Sequence, residues 1–167
     1  LCAVVSDGIS FTVTGLDALQ AKMQALSYDV QKKGGRYALR KAAQVLSARA
    51  RSNALALDDT DTGRSIAANV TERWDGKLNK QSDGADLGFR IGVAHGAKIP
   101  KGNPDEGKGG PTPHWRLLEF GTEKMQAKPF LRPVIEQVGQ QAIDTFVTEY
   151  DKAMDRAIKR AQKNGSK

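Results

Sequence analysis

Glu119 is a carboxylate set among apolar neighbours, with Leu117 and Leu118 before it and Phe120 after it. A carboxylate withdrawn from water must bind a proton, pair with a cation or collect several hydrogen bonds. Arg132 and Arg64 are the candidate cations, and the combination points to a structural ion pair pinning a corner rather than to acid–base catalysis. The other chemistry-bearing groups are weaker. Gly102-Asn103-Pro104-Asp105-Glu106-Gly107-Lys108 matches the opening of a phosphate-binding loop, but Gly109 stands where Ser or Thr should hold magnesium. Pro111 and Pro113 then block the helix whose N-terminus would receive the phosphate. His95 and His114 bracket this loop and Cys2 is the single cysteine, so no zinc-ligand spacing exists. No Gly-x-Ser-x-Gly elbow is present. The pairs Asp58/Asp59 and Asp105/Glu106 lie in polar turns, where solvation or capping accounts for them. The expectation is a protein with no catalytic, cofactor or metal site.

Charge is the second signal. The chain of 167 residues carries a net charge of +7. Between Lys32 and Arg51 lie Lys32, Lys33, Arg36, Arg40, Lys41, Arg49 and Arg51 with no acid among them, and a second basic run spans Asp151 to Lys167. The remainder is net negative. Arg36, Arg40 and Arg51 fall on one helical stripe and are candidates for contact with DNA phosphates or with a neighbouring subunit. Tyr37 is the only aromatic beside the stripe, so base stacking has little support.

These residues need elements to hold them. Ile9–Val13 alternates apolar and polar residues and predicts a strand. Leu16, Leu19, Met23, Leu26 and Val30 follow at helical spacing, after a capping-box pair at Thr14 and Asp17. Gly34-Gly35 should break or kink that helix, at about 1 kcal/mol per glycine relative to alanine. A second stretch, 36–54, gathers Ala38, Leu39, Ala42, Ala43, Leu46 and Ala50 on one arc, with Arg36, Arg40, Ser47 and Arg51 on another. Residues 65–74 and 87–93 read as strands joined through a polar connection at 75–86. Residues 94–113 form a long Gly/Pro-rich loop, of a kind that is usually functional or disordered. Ile135, Val138, Ala142, Phe146, Tyr150, Ala153, Ala157 and Ile158 mark a final helix, with a basic tail at 162–167 expected to fray.

The predicted class is α+β: a small antiparallel sheet with a long kinked N-terminal helix and a long C-terminal helix packed against it. A single domain over 1–167 is expected at this length. Hydrophobic residues make up 39%, a modest core that suits a subunit completing its burial by assembly. No window approaches the roughly 20 apolar residues of a membrane span. Leu1–Val5 is too short for a signal-peptide core, so a soluble chain assembled in a cytosol is expected.

One set of motifs, taken in order, is familiar. Phe11-Thr12-Val13-Thr14-Gly15-Leu16-Asp17-Ala18-Leu19 opens it, followed by the basic alanine-rich helix and Thr62-Gly63-Arg64-Ser65-Ile66. Leu118-Glu119-Phe120-Gly121-Thr122 and Pro129-Phe130-Leu131-Arg132-Pro133 close it. The series resembles the tail-completion (neck, or head–tail joining) proteins of long-tailed bacteriophages, whose functional counterpart in lambda-like phages is the minor tail protein Z. The chain departs from the pattern at Gly34-Gly35 and in the length of the 94–113 loop.

The resemblance implies a non-enzymatic virion component at the neck, assembled in the host cytoplasm without membrane or cofactor. It implies a ring of copies at the tail top, with tail terminator, tail-tube and head-closure (stopper) proteins as neighbours and phage DNA passing through the lumen. Glu119, Phe120, Gly121, Thr122, Pro129, Phe130 and Arg132, with Thr62, Gly63 and Arg64, are then the structural corner and interface. The alternative is a nonspecific basic DNA-binding protein of a phage or prophage.

Overall fold

The computed structural model describes residues 2–6, 9–13, 16–24, 27–57, 65–94 and 112–165. The elements in chain order are β1 (Cys2–Ser6), β2 (Ile9–Val13), α1 (Leu16–Gln24), α2 (Tyr28–Leu55), α3 (Ile66–Asn69), β3 (Val70–Trp74), α4 (Gly76–Gln81), β4 (Phe89–Val93), α5 (Trp115–Phe120) and α6 (Val134–Gly165). The class is α+β, as the patterning predicts. The Thr14/Asp17 cap, the phosphate-loop-like segment, His95 and the triplet Thr62, Gly63 and Arg64 lie outside the described residues or side chains.

β1 and β2 pair antiparallel, from Cys2 opposite Val13 to Ser6 opposite Ile9. β1 is a strand that the sequence patterning does not predict. β3 and β4 form the second two-stranded ladder. Its ends are marked by the Ala94 amide donating to the Asn69 carbonyl (2.7 Å) and the Asp75 amide donating to the Gly88 carbonyl (2.9 Å), so the strands run in opposite directions. The predicted strand over 65–74 begins as a helical turn instead. Ser65 Oγ accepts the Ala68 amide at 3.1 Å, capping α3 before the chain extends at Val70. The connection to β4 likewise holds a short helix, α4, capped by Asp75, whose Oδ1 accepts the Lys77 and Leu78 amides at 3.1 Å each.

The chain divides into two compact units. Unit 1 comprises 1–45, 74–90 and 139–167. Leu19, Ala38, Tyr150 and Met154 are buried in it, with Met23, Phe146 and Ala153 packed around them. Lys22 of α1 reaches two carboxylates of α6, Asp151 at 2.5 Å and Asp155 at 2.9 Å. Trp74 and Phe89 meet edge to face at 5.4 Å, and the Arg36 guanidinium lies 4.2 Å from the Trp74 ring centre. Arg90 grips Asp75 through two bonds of 2.5 and 2.6 Å. That pairing, helped by the Leu78 amide, holds the Asp75 carboxyl down at about 2.

Unit 2 comprises 46–73 and 91–138. Its core is Ala50, Ala54, Ile66, Ala67, Val70, Phe130 and Val134. The alanine arc read from the sequence is buried as expected at Ala38, Ala42, Ala43 and Ala50. Ser47, placed on the basic stripe by its phase, is also buried, at 1% exposure. On α6 the fully buried residue at the C-terminal end is Met154, and Ile135 at the N-terminal end is half exposed while Val134 is buried. α6 is helical through Gly165, so the basic tail continues the helix to that residue.

α2 runs unbroken through Gly34-Gly35, from Tyr28 to Leu55, after α1 has ended at Gln24. Close approach is the reason. A Cβ on Gly34 would run into Met154 Cε and stand 3.2 Å from Tyr150 Cε2, while one on Gly35 would stand 3.1 Å from Leu87 Cδ1. The glycines cost helix propensity and allow α6 to pack against α2. Gly34→Ala should therefore lower stability by about 1–3 kcal/mol through overpacking, despite the gain in propensity. In a Met154→Ala background the same change should be neutral or stabilising. Urea midpoints of the four proteins in this double-mutant cycle test the account.

Candidate functional site: a corner pinned by a buried carboxylate

α5 is six residues long and ends on a glycine that no other residue replaces. Gly121 has φ +76°, in the left-handed region, and its amide donates to the Leu117 carbonyl at 2.8 Å. A Cβ there would meet the Ala127 amide nitrogen at 2.9 Å and the Met125 carbonyl oxygen at 3.0 Å, both backbone atoms that cannot swing aside. Thr122 closes the turn that follows. Its Oγ1 accepts the Met125 amide at 3.0 Å, and its own amide donates to the Met125 carbonyl at 2.9 Å. The chain then returns along α5, where the Lys128 amide donates to the Leu118 carbonyl at 2.7 Å.

That return delivers three successive amides to Glu119. Its Oε2 accepts from Phe130 at 2.8 Å and Leu131 at 3.0 Å, and its Oε1 accepts from Arg132 at 3.0 Å. Arg132 Nε adds a fourth bond to Oε1 at 3.2 Å, and its terminal nitrogen donates to the Glu119 carbonyl. Glu119 is 1% exposed. Burial pushes its carboxyl upward, but the three amides and the guanidinium more than offset this, and its pKa lies below the ordinary value. The ion pair expected from sequence is present with Arg132, and Arg64 lies outside the described residues. The three amides are the larger part of the site, and the sequence carried no mark of them.

The same corner seats the core. Phe130, whose amide Glu119 holds, is fully buried among Ala50, Ala54, Ile66 and Val134. Asn53 Nδ2 donates to the Phe130 carbonyl at 3.1 Å and to Gln137 Oε1 at 3.0 Å, and Arg49 Nε donates to the same Gln137 oxygen at 2.8 Å. Asn69 Nδ2 donates at 3.1 Å to Thr112, which is fully buried ahead of α5. Pro129, by contrast, is exposed. Phe120 is 65% exposed and Leu117, three residues earlier on α5, is 50% exposed. The Arg132 guanidinium lies 5.3 Å from the Phe120 ring centre, which steadies the ring at the surface.

The basic stripe is less free than its sequence suggests. Arg51 donates through Nε to the Val70 carbonyl at 3.0 Å and pairs with Glu72 at 3.6 Å. Arg36 is stacked on Trp74. Arg40 is exposed. His114 stands exposed at the start of α5 without a capping hydrogen bond from its side chain. Among the described residues no group of three or more His, Cys, Asp or Glu is placed to hold a metal, and no helix is long and apolar enough to cross a membrane.

Two consequences of the carboxylate are measurable. Because the folded pKa of Glu119 is lowered, the stability it contributes is complete above the ordinary value of 4.5 and is lost as pH falls through the folded value. Glu119→Gln should cost about 1.5–3 kcal/mol at neutral pH and flatten the acid limb of stability against pH, leaving the parts contributed by Asp75 and Glu149. Arg132→Ala should cost less, since 58% of that side chain is in water. Phe130→Ala should cost about 3–5 kcal/mol. Chemical denaturation at several pH values separates these cases.

Comparison with known proteins matches the chain to a family model. The family model of the Bacteriophage HK97-gp10 tail component covers residues 17–121, more than half of the chain, from α1 to the glycine that ends α5. No curated protein and no solved structure matches. The chain belongs to the HK97-gp10-like family of bacteriophage tail components.

Proposed function

We propose that this tail component is a neck protein: it completes the top of the tail and joins it to the head, as a ring of copies around the DNA channel. The observation that carries this reading is the corner. A buried, fully satisfied carboxylate holds a short helix rigid, and that helix presents Leu117 and Phe120 to solvent on one face. Exposed apolar side chains on an immobilised backbone lose little entropy on docking, which is the property of an interface anchor. Met125, in the adjoining turn, is also exposed. The partners would be further copies together with the terminator, tail-tube and head-closure proteins.

The corner does not favour turnover. The four acceptor sites of Glu119 are taken by three amides and a guanidinium, so its carboxylate has no free lone pair directed at a substrate. Nonspecific DNA binding through Arg36, Arg40 and Arg51 has less support, because Arg51 and Arg36 are engaged within their own units. Phage DNA would pass the ring without being gripped by these side chains.

Replacing Leu117 and Phe120 with Asp should leave the melting curve nearly unchanged, since both are at the surface. It should abolish concentration-dependent assembly, alone and with tail-tube partners, and yield particles whose tails and heads stay separate. Mass measurement over a concentration series and immunodetection in purified virions provide the readouts. A chain that stays monomeric with those partners and is missing from virions would refute the neck assignment.

A further inference from the structure

Unit 1 carries a groove of about 540 Å³ between α2 and α6. Its floor is made of small residues at four-residue spacing: Val30 and Gly34 from α2, Ala153 and Ala157 from α6. Gly34 is buried and the other three are half-buried. The absence of a side chain at Gly34 is what brings the helices close enough for this floor to be shallow and smooth. The rim is of another kind. Lys33 stands exposed on α2, and Arg156 and Arg160 stand exposed one turn apart on α6.

Among the described residues, none of these three cations has a carboxylate within ion-pair distance. Tyr37 shares the rim at 41% exposure. The Arg156 guanidinium lies 5.4 Å from its ring centre and the Lys41 ammonium 5.8 Å, so the ring holds two cations beside the groove. Arg156 Nε is further fixed by the Lys152 carbonyl at 3.1 Å.

We infer that this groove is a docking site for an acidic amphipathic helix of another protein. An apolar floor between cationic edges complements a helix with an apolar stripe and carboxylates on both flanks. Duplex DNA would satisfy the rim with phosphates but has nothing to cover the alanines, and a small anion would leave most of the volume unfilled. A second copy of this chain is disfavoured by charge, because the chain is net +7 and unit 1 carries Lys32, Lys33, Arg36, Arg40 and Lys41 of the first basic run together with the second. The inference stands on unit 1 alone and does not depend on the corner assembling as proposed.

The test uses the full chain and a fluorescein-labelled synthetic helix of roughly 15 residues, with leucine along one face and glutamate on both flanks. Comparators are the same peptide with serine for leucine, and a short DNA duplex. The leucine peptide should bind. Its affinity should fall at least about 10-fold in the serine version, and by as much for Lys33→Glu or Arg160→Glu. Ala157→Trp, which fills the floor, should block the peptide while leaving the residual charge-driven binding of the serine version. Lys33 and Arg160 are exposed, so their variants keep the test valid if Ala157→Trp unfolds. No binding of the leucine peptide, equal binding of the serine peptide, or tighter binding of the duplex would overturn the inference. So would self-association of the chain that Ala157→Trp abolishes, since it would assign the groove to a second copy.

Discussion

A negative charge with no water around it organises unit 2. Glu119 is buried, and among the described residues the groups that make its burial tolerable are the three amides of Phe130, Leu131 and Arg132, aided by one guanidinium. Consecutive amides converge on one anion only if the chain there takes a single conformation, so solvation of the carboxylate dictates the path of 130–132. That path places the Phe130 ring in the core and starts α6 two residues after Arg132. A carboxylate just ahead of a helix N-terminus is also favourably placed in the field of that helix. Gly121 makes the geometry reachable, because only a residue free of Cβ turns the chain tightly enough for Lys128 to hydrogen-bond back to Leu118.

How much of this could be read in the residues depends on which atoms carry the interaction. An acid among leucines signals a buried charge, and an arginine thirteen residues on signals its partner, so the Glu119–Arg132 pair was legible. Backbone amides belong to every residue and leave no trace in composition, so the larger share of the solvation was not. The same distinction explains Asp75 and Lys22. Asp75 precedes a short polar helix and could have been read as its cap, whereas its grip on Arg90 and the reach of Lys22 to Asp151 and Asp155 join residues distant in sequence. Nothing local announces them.

Helix reading failed where local propensity and packing disagreed. Gly34-Gly35 weakens α2 taken alone, but the missing side chains leave room for Met154 and Tyr150 against Gly34 and for Leu87 against Gly35. On α6 the inward residues Val134, Val138, Ala142, Phe146, Tyr150 and Met154 recur at strict steps of four, not at alternating three and four. Such a row drifts by about 40° per step around a 3.6-residue helix. A straight face drawn through Ile135 and Ala153 therefore fits the middle of the helix and meets the core again at Ala153, but misses Val134 and Met154. Ser65 and Asp75 are a related case, since each side chain caps a short helix where alternation alone predicts strand or loop.

The two units expose surfaces of unlike chemistry, which bears on how a tail component would work. In unit 2 the exposed anchors are apolar, Leu117 and Phe120, and the backbone beneath them is locked. Contacts of that kind are not screened by salt and persist once water is expelled. In unit 1 the exposed feature is a cationic rim over an alanine floor, which attracts its partner from a distance and is screened by salt. A two-fold dimer uses one self-complementary patch, whereas a ring of copies uses two unlike patches on each subunit. Two surfaces with different requirements, one recruiting by charge and the other holding by apolar burial, therefore suit a tail component that meets neighbours on more than one side.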